Sequence, residues 1–319
     1  MTNISIHKKN HPAEILRTLQ LAIPVVVGMV ASFSMNFVDT LMAGRLPDKE
    51  IALAGIATGG AIWSAALMFI LGVLMALQPV VAQLDGAGKR SEGGAAGRQG
   101  FWIALAVAVP FVLILRSGGQ WLQWLSVGAD IVPTAILYMD AISWGAPAMC
   151  LLLMLRFFSE GSGYTRPTMY MGLLGILLNV PLNYILMFGK LGFPQLGAEG
   201  CGYATSIVIW SQLLMMFFYT RYHNHFKEFD LYGRWDWPQW EAIKRLLRIG
   251  LPIGTTIFVE GSLFIGQNHT LSDNGIYVTW FSGRCGLPGK IEQAGDNFAA
   301  AKGFFGYGCQ FLVIGIFRV

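Results

Sequence analysis

Long apolar stretches alternate with short polar ones along most of the chain. Seven of them are long enough to cross a bilayer, at roughly 15–42, 51–83, 98–116, 132–156, 168–189, 201–221 and 246–266. Stretches such as residues 62–82 are apolar on every face and lack the strict alternation of a membrane β-strand. The pattern therefore predicts an all-α integral membrane protein.

The polar connections divide the chain into parts. We expect a six-helix transmembrane bundle at 1–220, a cytoplasmic interbundle loop at 221–245 and a seventh helix at 246–266. After residue 266 the sequence is polar and glycine-rich, and the last apolar run, 304–317, is too short to cross comfortably. Residues 267–319 are therefore expected to form an atypical tail. A frameshift in the coding sequence would explain it, and a divergent natural tail is the alternative.

Composition agrees with a membrane protein. Of the 319 residues, 54% are hydrophobic and 13% are charged, whereas soluble domains average roughly 25% charged residues. The four cysteines form no close-spaced pair, and no histidine lies in an apolar stretch, so neither a disulfide framework nor a metal site is predicted. The net charge of +4 does not indicate nucleic acid, because the basic residues lie at the ends of the stretches.

The distribution of lysine and arginine predicts the orientation of the chain. Up to the seventh stretch, one set of alternate connections holds only Arg45, Lys49, Arg116 and Lys190. All other basic residues before residue 250 lie in the opposite set, which includes the N-terminus. By the positive-inside rule, the N-terminus is cytoplasmic.

Two amides stand out within the apolar stretches. Asn179 and Asn183 are one helical turn apart, with Pro181 between them. An amide without a partner in hydrocarbon costs on the order of 2–7 kcal/mol, so the pair is expected to face a polar site or to bond a neighbouring helix. Pro181 withholds one helix hydrogen bond and leaves a backbone carbonyl free for a ligand or an ion.

Two carboxylates also lie in apolar stretches. Asp39 is near the outer end of the first stretch and Glu260 is inside the seventh. Because a membrane carboxylate is disfavoured by roughly 2.5–3.5 kcal/mol, we expect ion or proton coupling; for Asp39, an interfacial helix end is the alternative. At a rise of about 1.5 Å per residue, Asp39, Asn183 and Thr205 share one depth.

Several motifs, in order and at matching spacing, resemble the multidrug and toxic compound extrusion family, in its bacterial sodium- or proton-coupled drug-exporting branch. They are Pro24, VDTLMAG at 38–44, PVVAQLDGAG at 79–88, Arg156 with EGSGYTRP at 160–167, NVPLNY at 179–184 with GAEGCGYAT at 197–205, and GLPIG at 250–254 leading to Glu260. The resemblance covers about residues 1–265 and implies two six-helix bundles with a drug cavity between them. Only the first bundle and one helix of the second match, so the chain resembles a member truncated after the seventh helix.

The resemblance also implies roles for single residues. The positions that match the cation site of the first bundle are Asp39, Asn179, Asn183 and Thr205. Glu260 matches a carboxylate of the second bundle's site, and Pro24 or Pro181 is expected to permit helix bending. No metal is expected beyond a coupling Na+ at the first-bundle residues, and no cofactor is expected beyond Na+ or H+ as coupling ion.

These expectations describe a secondary active multidrug efflux antiporter and not an enzyme. It would lie in the cell inner membrane as a multi-pass protein and export organic, often cationic, compounds in exchange for Na+ or H+. Its partners would be such drugs and the lipid bilayer, and not nucleic acid. The alternatives are a non-transporting membrane fragment, self-associating half-length copies, and a lipid-linked sugar flippase of a related fold.

Overall fold

The computed structural model describes residues 11–124 and 127–267, together with 270–272 and 275–277. Eleven helices and one small hairpin lie in these ranges. The helices are α1 (His11–Ala43), α2 (Lys49–Met75), α3 (Leu77–Gly86), α4 (Arg90–Arg116), α5 (Gly118–Trp124), α6 (Val132–Ser143), α7 (Ala146–Gly161), α8 (Arg166–Phe188), α9 (Gly197–Tyr222), α10 (Asn224–Lys227) and α11 (Trp240–Gln267). The strands are β1 (Thr270–Ser272) and β2 (Gly275–Tyr277), which pair antiparallel.

Six membrane spans can be assigned in the described part of the chain. Five helical segments are long and apolar enough to cross, and α2 with α3 counts as one of them. The sixth span is the pair α6 and α7, which bends by 50° around residues 144–145. The predicted seventh segment is helical within α11, but α11 is not among these spans; charged residues lie in its first turns and Glu260 near its end. Across 11–267 the all-α membrane class is confirmed, with six assigned spans where the sequence predicted seven.

The outer surface of the helices suits hydrocarbon. Leu177 is 69% exposed and Leu113 is 62% exposed, while Phe111 and Phe158 are fully buried. Contiguous exposed apolar surface of this kind would be unfavourable in water, but it is the normal surface of a helix that faces lipid.

The packing of α1 along α8 places the first span beside the two amides. The backbones of these helices approach closely at two glycines, because a Cβ on Gly28 would lie 2.7 Å from the Thr168 carbonyl oxygen. A Cβ on Gly172 would lie 2.7 Å from the Gly28 carbonyl oxygen. Small residues permit such close packing of membrane helices, and here they bring Asp39 within reach of α8.

The connection between α9 and α11, residues 223–239, is called the strap below. It is shorter than the predicted loop, 221–245, because α9 continues to Tyr222 and α11 begins at Trp240. Phe229 of the strap is fully buried, with its ring edge-on to Phe158 at a centroid distance of 5.5 Å. The strap is therefore packed into the bundle and does not lie free beside it.

Side chains of α4 bind the strap through its backbone. Arg98 Nε donates to Asp236 Oδ2 at 2.5 Å, and Trp102 Nε1 donates to the Asp236 carbonyl at 3.0 Å. Gln99 donates to the Trp237 carbonyl at 3.1 Å and accepts from the Gln239 amide at 2.7 Å. These bonds fix the backbone of the strap up to the first residue of α11.

The helix α11 packs directly on α2. A Cβ on Gly72 would lie 2.4 Å from the Gly254 Cα, and a Cβ on Gly250 would lie 2.4 Å from the Val73 carbonyl oxygen. The hairpin of β1 and β2 follows in the region predicted as an atypical tail. The remainder of that tail lies outside the described residues, so the frameshift hypothesis stays a prediction.

Candidate ion site

A buried carboxylate and two amides form the polar centre of the bundle. Asp39 of α1 is 7% exposed, and Asn179 and Asn183 of α8 are fully buried. Asn179 Nδ2 donates to Asp39 Oδ1 at 2.8 Å, and Asn183 Nδ2 donates to the same oxygen at 2.5 Å. The helical spacing of the two asparagines places both donors on one face of α8, so the predicted association of the three residues is seen in the structure.

Three oxygen atoms around this centre have no hydrogen-bond partner in the described part of the chain. They are Asn179 Oδ1, Asn183 Oδ1 and Thr205 Oγ1. A buried acceptor without a partner costs about 1–3 kcal/mol, so the arrangement is unfavourable unless something binds there. Carboxylate, amide and hydroxyl oxygens are the ligands that hard cations prefer, and the residues present therefore fit a cation such as Na+.

Two further helices reach the centre. Asp39 interacts electrostatically with Tyr138 of α6 and with Cys201 of α9, and both of these residues are buried. Thr205 follows Cys201 by one helical turn on α9 and is 8% exposed. Sequence reasoning missed Tyr138 and Cys201, since neither residue is unusual in an apolar helix.

A second buried carboxylate, Glu160 of α7, differs from Asp39 in having a cationic partner. Its side chain is 7% exposed. Arg156 Nε donates to Glu160 Oε1 at 2.8 Å, and Thr168 Oγ1 donates to the same oxygen at 3.0 Å. Asp39 forms no ion pair within the described residues, so it retains the capacity to bind a cation or a proton.

The other predicted site residues lie apart from this centre. Glu260 is exposed on α11, which packs on α2, and the structure does not bring it to Asp39. Pro181 is exposed on α8 and Pro24 is buried in α1, and both helices continue through their proline. The proposed roles of Glu260 and of the two prolines stay predictions.

The fold and the site define a multi-pass helical membrane protein with an oxygen-lined polar centre inside its bundle. The family model MatE matches residues 24–185, and the chain belongs to this family. Its members are transporters, so the chain falls among transporters and not among enzymes.

Multidrug resistance proteins are among the relatives of the chain. It is 39% identical over 255 residues to the multidrug resistance protein NorM of Photobacterium profundum, covering 80% of this chain and 56% of that protein. It is 39% identical over 247 residues to the multidrug resistance protein MdtK of Yersinia pestis, covering 77% of this chain and 54% of that protein. The chain thus spans about half the length of these relatives.

Solved structures show the same architecture. The MATE transporter NorM-NG, in a complex that includes a monobody, aligns with a TM-score of 0.60 at 32% identity, over 76% of this chain and 53% of that one. The eukaryotic MATE transporter AtDTX14 aligns with a TM-score of 0.73 at 17% identity, over 80% of this chain and 56% of that one. The second likeness concerns the fold alone.

Proposed function

We propose that the chain supplies the ion-coupled first bundle of a secondary active multidrug efflux antiporter. In this proposal organic, often cationic, compounds leave the cell across the inner membrane in exchange for Na+ or H+, and the N-terminus is cytoplasmic. The observation that carries the proposal is the buried Asp39 carboxylate, which has two amide donors, no cationic partner in the described residues, and unpartnered oxygens around it.

The geometry suggests what each group does when the cation binds. Asp39 supplies the negative charge, and Asn179 and Asn183 orient its carboxylate through their N–H groups. The amide oxygens and the Thr205 hydroxyl then supply neutral ligands. A proton would instead bind to Asp39 alone and would leave the three neutral oxygens without partners. We therefore favour Na+ over H+ as the coupling ion, with no other cofactor.

The drug-exporting part of the proposal rests on the relatives. NorM and MdtK are multidrug resistance proteins, and MATE transporters bind drugs and organic cations. Because the chain spans about half of such proteins, export is assigned to an assembly of two bundles.

A test of the ion site compares thermal unfolding of the purified chain in NaCl and in choline chloride at equal ionic strength. Na+ should stabilise the wild type, by about 2.7 kcal/mol at a concentration 100-fold above Kd, and should not stabilise Asp39→Asn. The matched control is Asp140→Asn, because Asp140 is also a carboxylate in an apolar segment but is exposed. This control should respond to Na+ like the wild type.

The outcomes separate the two coupling ions. If Na+ has no effect but the stability difference between wild type and Asp39→Asn changes with pH, the site binds a proton. If neither Na+ nor pH distinguishes Asp39→Asn from the wild type, the assignment of Asp39 is refuted.

A further inference from the structure

The first turns of α11 present one face away from the bundle. Trp240, Lys244, Arg248 and Leu251 recur at spacings of three and four, which places them on one side of the helix. All four are exposed, while Leu246 and Gly250 on the opposite side are buried against the bundle. This exposed side, together with Arg245, is called the α11 outer face.

The α11 outer face carries cations that no carboxylate neutralises. Lys244, Arg245 and Arg248 are exposed and form no ion pair within the described part of the chain. Glu241 lies beside them and forms no ion pair either, so positive charge remains in excess. Other exposed basic residues at this end of the bundle are paired, for example Lys89 with Glu92 at 3.1 Å.

Exposed tryptophans border the cations. Trp235, Trp237 and Trp240 are 68%, 75% and 67% exposed. The bonds between α4 and the strap fix the backbone that carries them, and the Trp237 ring is parallel to that of Trp102 at a centroid distance of 6.4 Å. Tryptophan side chains at a membrane surface lie at the depth of the lipid headgroups.

Beyond the cations, α11 continues with exposed apolar side chains. Leu251 is 44% exposed and Phe258 is 40% exposed. The order along the helix is therefore tryptophan, cations and apolar stripe. A phospholipid has the same order of chemistry, with a phosphate at one end and acyl chains at the other.

We propose that the α11 outer face is a binding site for an anionic phospholipid in the leaflet at this end of the bundle. Lys244, Arg245 and Arg248 contact the phosphate and the net charge of the headgroup, and the acyl chains lie along Leu251 and Phe258. The tryptophans contact the headgroup region from the side of the strap. A zwitterionic lipid gains less from the excess positive charge, and free phosphate makes no use of the apolar stripe. The site is separate from the Asp39 centre and does not depend on ion coupling.

Native mass spectrometry of the purified chain tests this site. Phosphatidylglycerol or phosphatidylcholine with identical acyl chains is titrated, and bound lipid is counted. The wild type should retain phosphatidylglycerol in preference to phosphatidylcholine. The triple variant Lys244→Gln, Arg245→Gln, Arg248→Gln should bind phosphatidylglycerol about five-fold more weakly for each charge removed, with little change for phosphatidylcholine.

A second triple variant serves as the matched control, Lys89→Gln, Lys227→Gln, Arg234→Gln. It removes the same charge from exposed positions at the same end of the bundle. It should keep the preference of the wild type for phosphatidylglycerol. An equal loss in both triple variants would show a general charge effect and would overturn the site.

Two further arms complete the test. Excess inorganic phosphate should not displace phosphatidylglycerol, and displacement would overturn the assignment to a lipid. The double variant Trp235→Ala, Trp240→Ala should weaken the binding of both lipids. Unchanged binding of both lipids in this variant would refute the part assigned to the tryptophans, and a wild type without any preference for phosphatidylglycerol would refute the proposal as a whole.

Discussion

Two adjacent buried hydroxyls on α9 have opposite hydrogen-bonding states. Ser206 Oγ donates to the Ala141 and Ile142 carbonyls at 2.9 and 3.3 Å, just before the bend between α6 and α7. Thr205 Oγ1 has no partner among the described residues. Because broken membrane helices need partners for the backbone groups that the bend frees, Ser206 has a structural role. Thr205 is left with a hydroxyl that only a ligand would use.

This difference predicts opposite effects of removing the two hydroxyls. Without Na+, Thr205→Val should stabilise the chain by about 1–3 kcal/mol, since it removes a buried polar atom that has no partner. It should also weaken the stabilisation by Na+, because one ligand is lost. Ser206→Ala should lower the stability by about 1 kcal/mol and leave the response to Na+ unchanged. Thermal unfolding in NaCl and in choline chloride measures both effects, and a full Na+ response in Thr205→Val would exclude Thr205 from the site.

At the scale of elements, the end of α9 is joined to the strap by an aromatic cluster. The His223 ring is parallel to that of Tyr219 at 5.1 Å and lies 4.7 Å from that of Tyr164. The His225 amide donates to His223 Nδ1 at 3.2 Å, so neutral His223 has its proton on Nε2, which lies 3.1 Å from Tyr164 Oη. Protonation would place a second proton on Nδ1, where it faces the His225 N–H group.

The pKa of His223 is lowered from 6.5, mainly by burial and further by the nearby charges of His225 and Arg166. The folded state therefore disfavours the charged imidazole. The stability that His223 contributes is present above pH 6.5 and is lost as the pH falls from 6.5 through the lowered pKa of the folded state.

Hydrogen exchange checks this pH dependence. After correction for intrinsic rates, the amides of residues 223–226 should lose protection when the pH falls below 6.5. The variant His223→Gln cannot titrate at this position and should show a flatter profile. If His223→Gln keeps the full pH dependence, another group such as His225 is responsible.

At the scale of the whole molecule, α11 is attached to the first bundle. The close contact of its backbone with α2 at Gly72 and Gly254, and the bonds between α4 and the strap, join it to the six preceding spans. Alternating access in transporters of this kind needs two bodies that move against each other around a shared site. One bundle with an attached helix provides a single body.

We therefore predict that residues 1–319, expressed alone in a host without its own efflux pumps, do not raise drug resistance above an empty-vector control. Expression of a relative such as NorM in the same host gives the positive control. Resistance clearly above the empty vector, with the product still at this length, would contradict the prediction. Crosslinking would then test whether two copies assemble as the two halves.

The sequence by itself determined the membrane class, the helical segments and the core of the site. Apolar runs longer than a bilayer thickness leave the backbone few alternatives to a helix. The turn between Asn179 and Asn183 places both amides on one face whatever they pack against, and the cost of burying Asp39 marked it as functional. Local chemistry was sufficient for these predictions because each depends on residues close together in the chain.

The tertiary structure alone decided which helices meet and which atoms have no partner. The rotation of α1 against α8 depends on the contact between Gly28 and Gly172, and isolated glycines give no periodic signal. The strap is short and bound because Arg98, Gln99 and Trp102 bond to backbone groups more than a hundred residues away. Tyr138 and Cys201 reach Asp39 for the same reason, and Glu260 lies apart from it. Such pairings depend on the fit of whole helix surfaces, and no local stretch of sequence contains that information.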